Sequence, residues 1–299
     1  MKVFITGATG FIGSRIVDEL LKLNHKVIGL TRSDLGASIL EKKGAEAHFG
    51  TLEDCDSIVK GADKADAVIH AAFDHNFANF VENCNKDKRV IEAVGKSLVG
   101  SSRPLIITSG TPMGSLKDGD IAKENVFNPN SFNPRVATEI AGNAMRDLGV
   151  DVRVARLPQV HNTEKQGLIT PLINISKAKG LAAYIGNGDN HFPAANVEDV
   201  AKLYTLILEK GEKGGVYNAV AEEGIPIKRI MQEIGVRLNI PVKSLPKEEA
   251  EEHFGWLARI VSANMLASSE WTRKTLDWNP TGTTLLEDLA NMDYSKLNY

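Results

Sequence analysis

The chain has little cysteine, no long apolar run and no excess of basic charge, and each absence excludes a class of protein. Only Cys55 and Cys84 occur among its 299 residues, without metal-type spacing, so neither a disulfide framework nor a metal site is expected. No apolar run is long enough to span a bilayer, which argues against membrane insertion. The net charge is −3, with no basic block or RNA-type aromatic motif, so nucleic acid is not an expected partner.

The composition that remains is typical of a cytoplasmic α/β enzyme. Apolar residues make up 42% of the chain and charged residues 24%, enough for one large core and a smaller lobe. The first strand begins at Lys2, which leaves no room for a cleaved targeting peptide, so we expect a cytoplasmic protein.

A glycine-rich loop stands at the start of the chain. The buried strand of residues 3–5 runs into Gly7, Gly10 and Gly13, and a helix with regular apolar spacing follows. A second apolar strand, Lys26–Thr31, comes at the distance that a βαβ unit needs. Gly7 suits a tight turn, Gly10 allows close approach of phosphates, and Gly13 allows the helix to pack on the strand. The helix N-terminus would face the pyrophosphate, and we therefore predict a dinucleotide site.

The end of the second strand indicates which dinucleotide is bound. A carboxylate there would accept hydrogen bonds from the ribose of NAD, but the sequence reads Thr31-Arg32-Ser33. Arginine pairs with phosphate in bidentate geometry, so Arg32 and Ser33 favour NADP(H). Arg15 is a second candidate for a phosphate contact. The alternative is that both arginines are solvated surface residues.

Strand and helix signals alternate along the chain, which predicts a Rossmann-type α/β fold with a doubly wound parallel sheet and a smaller C-terminal substrate lobe. We expect the dinucleotide-binding domain to cover residues 1–162 plus about 189–220, and the lobe about 163–188 and 221–285. Further strands are predicted at 45–49, 66–72, 104–109, 151–157 and 215–218, and helices at 80–98, from Asn133-Pro134 onward, and at 170–179, 196–209 and 226–238.

Several motifs together resemble the extended short-chain dehydrogenases/reductases, also called the NAD(P)-dependent epimerase/dehydratase family. Beside the glycine loop, they are His70-Ala71-Ala72, Thr108-Ser109, Arg156-Leu157-Pro158, residues 196–201 and residues 276–280. The resemblance covers nearly the whole chain. More narrowly, the chain is similar to a fungal branch of atypical members that lacks the Tyr-x-x-x-Lys motif.

The resemblance assigns cofactor roles residue by residue. The backbone of residues 9–12 would hold the pyrophosphate, Thr51 and Leu52 would flank the adenine, and Ala71 and Ala72 would line the ribose and phosphate channel. The turn of Pro158 and Val160 would meet the nicotinamide amide. The implied cofactor-binding set is Gly7, Thr9, Gly10, Phe11, Ile12, Gly13, Arg32, Ser33, Thr51, Leu52, Ala71, Ala72, Thr108, Ser109, Pro158 and Val160.

The catalytic half of the family pattern is missing. Typical members carry Tyr-x-x-x-Lys on the helix after strand five, but residues 127–145 contain neither Tyr nor Lys. The family spacing falls instead on Arg135 and Glu139, and the serine position falls near Gly110, between Ser109 and Thr111. In one interpretation, Arg135 stabilises a substrate oxygen and Glu139 holds the nicotinamide ribose. In the other, the two residues form an i,i+4 surface ion pair.

Arginine cannot donate the catalytic proton near neutral pH, because its pKa exceeds about 12. His75, His161 and His191 are the candidate donors, since histidine titrates nearest physiological pH. Each of them has a structural role as the alternative. His75 follows strand four, in a loop that often contacts substrate in the family.

Two function classes follow from these residues. The first is an NADP(H)-dependent oxidoreductase that reduces a small ketone or aldehyde with an atypical set of Thr111, Arg135, Glu139 and His75. The second is a catalytically silent NADP(H)-binding sensor or scaffold, for which the absent Tyr and Lys are the discriminating feature. A nucleotide-sugar epimerase or dehydratase comes third, because it depends most on the absent tyrosine. The protein is expected to be a monomer or a homodimer, with a small carbonyl compound as its partner.

Overall fold

The computed structural model describes residues 1–296, in which strands and helices alternate from the start of the chain. The strands are β1 (Lys2–Thr6), β2 (Lys26–Thr31), β3 (Glu46–Phe49), β4 (Ala67–His70), β5 (Leu105–Gly110), β6 (Val152–Leu157), β7 (Gln159–His161), β8 (Ala182–Ile185), β9 (His191–Asn196), β10 (Val216–Asn218), β11 (Glu222–Pro226) and β12 (Val242–Leu245).

The helices flank the sheets and also build much of the C-terminal part. They are α1 (Phe11–Lys22), α2 (Asp34–Lys43), α3 (Cys55–Ala62), α4 (Phe80–Ser97), α5 (Val136–Asp147), α6 (Ile169–Lys179), α7 (Val197–Lys210), α8 (Ile227–Leu238), α9 (Ala250–Phe254), α10 (Ala258–Ser262), α11 (Glu270–Leu276) and α12 (Leu285–Asn291). Short 3-10 turns cover Phe77–Asn79, Thr111–Gly114, Lys247–Glu249 and Gly255–Leu257.

The main sheet has the order β3-β2-β1-β4-β5-β6-β10, and every neighbouring pair is parallel. The strand order therefore reverses between β1 and β4, where Thr6 lies beside His70. Ligands of open α/β sheets bind at such a reversal, outside the carboxyl ends of the strands. The predicted Rossmann-type fold class is confirmed.

Apolar side chains on both faces of the sheet explain why the strand predictions agree with the structure. All of β4 and residues 3–6 of β1 are buried, as expected for strands covered by helices on both sides. One core lies between the sheet and the face carried by α1 and α7, and a second lies beneath α3, α4 and α5.

The C-terminal part has a core of its own. Side chains of α6, α8, α9 and α12 pack around the parallel pair β8 and β12. The three-stranded sheet β11-β9-β7 joins this lobe to the dinucleotide half, because β9 contributes Phe192 and Ala194 to the lobe core and Ala195 to the main core. The smaller lobe thus lies next to the strand ends where a ligand would bind.

The start of α5 differs from the sequence prediction, and the start of α2 gives Ser33 a contact that was not predicted. The helix after strand five begins at Val136 rather than at Pro134, because Asn133 accepts a hydrogen bond from the Arg135 N–H in a turn that precedes the helix. Helix α2 is capped by Ser33, whose hydroxyl accepts from the Gly36 N–H, so this side chain has a structural task beside any cofactor contact.

Residues 1–296 include no helix that is long and apolar enough to cross a membrane. The same described residues contain no group of three or more His, Cys, Asp or Glu side chains placed to hold a metal ion.

Candidate functional site

The glycine loop has the backbone shape that a pyrophosphate requires. Gly7 has a φ of 73°, and a Cβ there would lie 2.9 Å from the Ala72 nitrogen. A Cβ on Gly13 would collide with the Gly7 carbonyl oxygen. Gly10 is the N-cap of α1 and provides no side-chain cap, so the first N–H groups of the helix are available to an anion. The cradle therefore fits a dinucleotide phosphate.

The loop residues around this cradle are exposed or half-buried. Thr9 and Gly10 are exposed, while Phe11 and Ile12 are half-buried beside the main core. Arg15, the second phosphate candidate, forms ion pairs with Glu164 at 3.2 Å and with Glu198 at 3.5 Å. Its charge is therefore already compensated by two carboxylates.

The end of β2 presents Arg32 at the surface. Within residues 1–296 its side chain forms no hydrogen bond or ion pair, whereas many other arginines of the chain are paired. Thr51 and Leu52, which follow β3, are half-buried. This arrangement leaves one exposed guanidinium at the place where the adenine ribose of a dinucleotide would lie.

A polar network begins where β1 and β4 end. The Thr6 hydroxyl lies 2.7 Å from Nδ1 of His70 and accepts a hydrogen bond from the Ala72 N–H at 3.2 Å. On the other side of the ring, Nε2 of His70 lies 3.1 Å from Oδ1 of Asp87. These contacts fix the backbone at Ala71 and Ala72, both of which are half-buried at the opening between the strands.

Asp87 on α4 is fully buried and joins this network to Arg135. Its second oxygen accepts a hydrogen bond from the Thr138 hydroxyl at 2.6 Å and lies 2.9 Å from Nη1 of Arg135. Burial alone would raise the pKa of Asp87, but Arg135, His70 and Thr138 together bring it below its ordinary value. The carboxylate is therefore charged and compensated in the interior.

Arg135 lies just before α5 and is held on three sides. Besides the pair with Asp87, its Nη2 donates to the Thr108 carbonyl at 2.8 Å. The guanidinium carbon lies 3.9 Å from the centre of the Phe73 ring, at cation–π distance. The side chain is 13% exposed. A guanidinium has five N–H donors, so this arrangement leaves donors for a ligand at the carboxyl ends of β4 and β5.

Glu139 lies elsewhere, in the interior. Its carboxylate makes a bidentate pair with Arg156, at 2.8 and 2.7 Å, and also accepts a hydrogen bond from the Ser109 hydroxyl at 2.6 Å. The alternative of a surface ion pair between Arg135 and Glu139 is therefore wrong, because each residue has another partner. The expected contact of Glu139 with the nicotinamide ribose stays a prediction, and a buried carboxylate with both oxygens occupied is poorly suited to it.

Thr108 near the end of β5 and Thr111 just after it are both buried. Thr111 is buried in the short turn Thr111–Gly114. The Thr108 hydroxyl donates to the His70 carbonyl at 2.8 Å and lies 2.6 Å from the Tyr204 hydroxyl. Burial raises the pKa of Tyr204 far above its ordinary value, so this tyrosine stays neutral.

The three candidate histidines lie in different surroundings. His161 is fully buried and its Nδ1 lies 2.6 Å from Asp288, which is a structural contact. His191 is bonded to Asn264 in the lobe. His75 lies at the surface of the loop after β4, next to Phe73. Of the three, only His75 lies close to Arg135, whose charge affects its pKa.

Neighbouring protein groups partly desolvate the His75 imidazole and lower its pKa. The charges of Lys165 and Arg135 lower it further. Phe73 and Phe77 contact its ring edge to face, with centroids 5.3 and 6.2 Å away. The shift favours the neutral form, so a proton on this imidazole is readily released.

Pro158 and Val160 follow β6. Pro158 is half-buried between β6 and β7, and Val160 packs into the main core while its backbone pairs with Ala195 of β9. Any contact of Val160 with a ligand would therefore come from the backbone rather than from the side chain.

Sequence reasoning missed Asp87 and Phe73, which hold Arg135 in place. A signal for Asp87 was present, because it falls on the apolar stripe of α4 together with Cys84, Ile91 and Val94, all of them buried. A carboxylate on such a stripe requires a buried partner. Phe73 gives no comparable signal, since its partner comes from another element.

The parallel sheet and the glycine cradle together are those of a Rossmann-type dinucleotide-binding domain, and a smaller C-terminal lobe accompanies it. Residues 3–219 match the model of the NAD dependent epimerase/dehydratase family, and the chain belongs to that family. A protein of Schizosaccharomyces pombe is 46% identical over 98% of this chain and 100% of its own length.

More distant proteins share the fold. Vestitone reductase of Medicago sativa is 27% identical over 77% of this chain and 79% of its own length. The structure of UDP-glucose 4-epimerase with UDP-glucose from Thermotoga maritima has a TM-score of 0.77 and 17% identity, covering 98% of this chain and 97% of that one. At that identity the likeness shows the fold alone.

Proposed function

We propose that this protein is an NADP(H)-dependent reductase of a small ketone or aldehyde. The observation that carries the proposal is the placement of Arg135, held by Asp87, Thr108 and Phe73 at the carboxyl ends of β4 and β5. Groups fixed in this way are pre-organised to act on a bound ligand. Family membership supports an NAD(P)-dependent enzyme, and a reductase is among the relatives.

Cofactor binding would use the parts already described. The N-terminus of α1 would hold the pyrophosphate, Ala71 and Ala72 would flank the ribose and phosphate channel, and Arg32 would pair with the 2′-phosphate of NADP(H). The nicotinamide supplies the hydride for the carbonyl carbon.

Arg135 would hold the nicotinamide ribose in this proposal. Arg135 is a basic side chain at the carboxyl ends of β4 and β5, whereas Glu139 lies in the interior on Arg156. This geometry favours matching Arg135, rather than Glu139, to the lysine of the family motif. The motif then lies four residues earlier in the chain than the sequence spacing suggested. The tyrosine position then falls on Ser131, so the family's usual proton donor is still absent.

His75 would supply the proton, directly or through a water molecule. It is a titrating group in the loop that follows β4, and its lowered pKa makes its proton easy to release. In the reverse reaction, neutral His75 would accept the proton of the alcohol.

A catalytically silent NADP(H)-binding protein is the second candidate. The observation that favours it is the engagement of both motif side chains within the protein, Arg135 on Asp87 and Glu139 on Arg156. The two candidates share cofactor binding and differ in turnover.

The test measures NADPH and NADH affinity by fluorescence, and then NADPH oxidation with a panel of ketones and aldehydes. We expect NADPH to bind more tightly than NADH, and Arg32→Ala to weaken NADPH about 10- to 100-fold while leaving NADH unchanged, as expected for a lost charge-assisted hydrogen bond. Arg229→Ala, at an exposed position of α8, is the matched control. Tight NADPH binding without turnover of any carbonyl would favour the silent protein.

A further inference from the structure

Aromatic side chains form a contiguous cluster at the opening between the two lobes. The aromatic cluster consists of Phe73, His75, Phe77 and Phe80 from the loop after β4 and the start of α4, and Trp256 from the C-terminal lobe. Trp256 stacks on Phe77 with ring centroids 4.3 Å apart and an interplanar angle of 18°. Phe77 in turn stacks on Phe80 at 5.6 Å. The cluster therefore bridges the lobes.

The cluster also surrounds the polar groups of the proposed reaction. Phe73 lies directly beneath the Arg135 guanidinium and contacts the edge of His75. His75 lies between Phe73 and Phe77. A ligand that packs against these rings would thus have its polar end close to Arg135 and His75.

A second contact crosses the opening three residues further along the lobe. The guanidinium carbon of Arg259 lies 3.7 Å from the centre of the Phe132 ring, which belongs to the loop between β5 and α5. The segment with Trp256 and Arg259 therefore contacts both loops that follow the central strands β4 and β5. Those loops flank the place where the nicotinamide would lie.

The rings at this opening keep much of their surface exposed. Trp256 is 50% exposed and Phe132 is 65% exposed, although each already contacts a partner across the opening. A purely structural contact between lobes would gain most by burying these rings. Grouped apolar surface that stays exposed next to polar groups is instead typical of a ligand site.

We propose that the substrate carries a planar aromatic ring, which packs against Trp256 and the phenylalanine rings of the aromatic cluster with its carbonyl directed towards His75, next to the Arg135 that would hold the nicotinamide ribose. This inference names the substrate class of the reductase and rests on that proposed function. Aromatic rings prefer offset-stacked or edge-to-face partners, and the half of the Trp256 surface that stays exposed can take a ring in such a geometry. The cation of Arg259 adds attraction for a ring face.

A matched pair of ketones tests the proposal. Acetophenone and cyclohexyl methyl ketone have the same carbonyl group and the same ring size, but only acetophenone has a flat π-face. We expect the NADP⁺-loaded protein to bind acetophenone about three- to tenfold more tightly, the range expected for one aromatic pair beyond its apolar area. The titration is followed by ligand-observed NMR, which requires no turnover.

Substitution of Trp256 tests whether the aromatic cluster causes the preference for acetophenone. Trp256→Leu removes the preference between the two ketones, whereas Trp256→Phe retains it, and circular dichroism checks that both variants are folded. Trp271→Leu is the control, because Trp271 is also partly exposed but stacks on Tyr217, away from the cluster. Trp271→Leu is expected to prefer acetophenone as strongly as the unmodified protein does.

The possible results separate this inference from the proposed function. Equal affinity for the two ketones, no binding of either, or a preference that survives in Trp256→Leu would each overturn the aromatic substrate. A preference that depends on Trp256 in a protein that oxidises no NADPH would support the aromatic site while rejecting the reductase.

Discussion

At the scale of single residues, Asp87 links His70, Thr138 and Arg135 at the site. A fully buried carboxylate is costly unless charged and hydrogen-bonding partners compensate it, and here Arg135, His70 and Thr138 all contact it. Arg135→Met would remove the guanidinium partner of the carboxylate and leave only the contacts with His70 and Thr138. We expect a loss of about 3–5 kcal/mol in the free energy of unfolding, measured with urea, and a smaller loss for Arg135→Lys.

The control for this prediction is Arg237→Met, which removes an exposed i,i+4 pair with Glu233. Such a pair contributes only a few tenths of a kcal/mol. Equal stability of Arg135→Met and the unmodified protein would mean that Asp87 and Arg135 are not paired in solution.

His75 gives a second prediction at the residue scale. Ketone reduction needs the protonated imidazole, and desolvation together with Lys165 and Arg135 lowers its pKa below the ordinary 6.5. The kcat/KM for reduction should therefore rise as the pH falls through that lowered pKa. Lys165→Met removes one positive charge near His75, so this rise in kcat/KM should occur at higher pH. His75→Asn should abolish the rise. If the same rise in kcat/KM persisted in His75→Asn, this histidine would be excluded as the proton donor.

At the scale of elements, the glycine loop between β1 and α1 allows a direct test of cofactor binding. A Cβ on Gly13 would collide with the Gly7 carbonyl oxygen, so Gly13→Ala must displace the loop or the helix. We expect NADPH affinity to fall at least about tenfold, since a displacement of about 1 Å is enough to misplace a bound group. Fluorescence titration measures the loss.

Lys22→Ala is the control on the same helix, because Lys22 lies at its exposed end. It should leave NADPH affinity unchanged. If Gly13→Ala bound NADPH as tightly as the unmodified protein does, the loop would not be the phosphate site.

The elements also show how far sequence alone could predict this protein. The strands of the main sheet are apolar runs closed by turn residues, so their positions agree with the structure to within a residue or two at most ends. The glycine loop could be predicted for the same local reason. The partner of Glu139 could not, because Arg156 lies on another element and i,i+4 spacing gave the wrong pair.

The role of the aromatic cluster was equally hidden from the sequence. Trp256 and Phe77 are separated by most of the chain, and only the packing of the lobe on the dinucleotide half brings them together. The substrate recognition that we propose depends on such contacts between elements that are distant in sequence.

At the scale of the whole molecule, each half contains one buried aspartate hydrogen-bonded to a histidine. Asp87 meets His70 in the dinucleotide half, and Asp288 meets His161 where the lobe joins it. Burial would raise the pKa of Asp288, but His161, Thr283 and Asn196 bring it below its ordinary value. The pKa of Asp87 is lowered by its own partners in the same way.

Acid unfolding should therefore begin at both places. A carboxylate whose pKa is lower in the folded than in the unfolded protein stabilises the fold above its unfolded pKa of about 3.9, and that contribution is lost as the pH falls through the folded value. We expect Asp288→Asn to be less stable near neutral pH but to lose less stability on acidification. Asp189→Asn, at an exposed position, should follow the unmodified protein. Urea midpoints measured between about pH 3 and pH 6 test this, and an unchanged slope in Asp288→Asn would show that the buried Asp288 carboxylate does not contribute to acid stability.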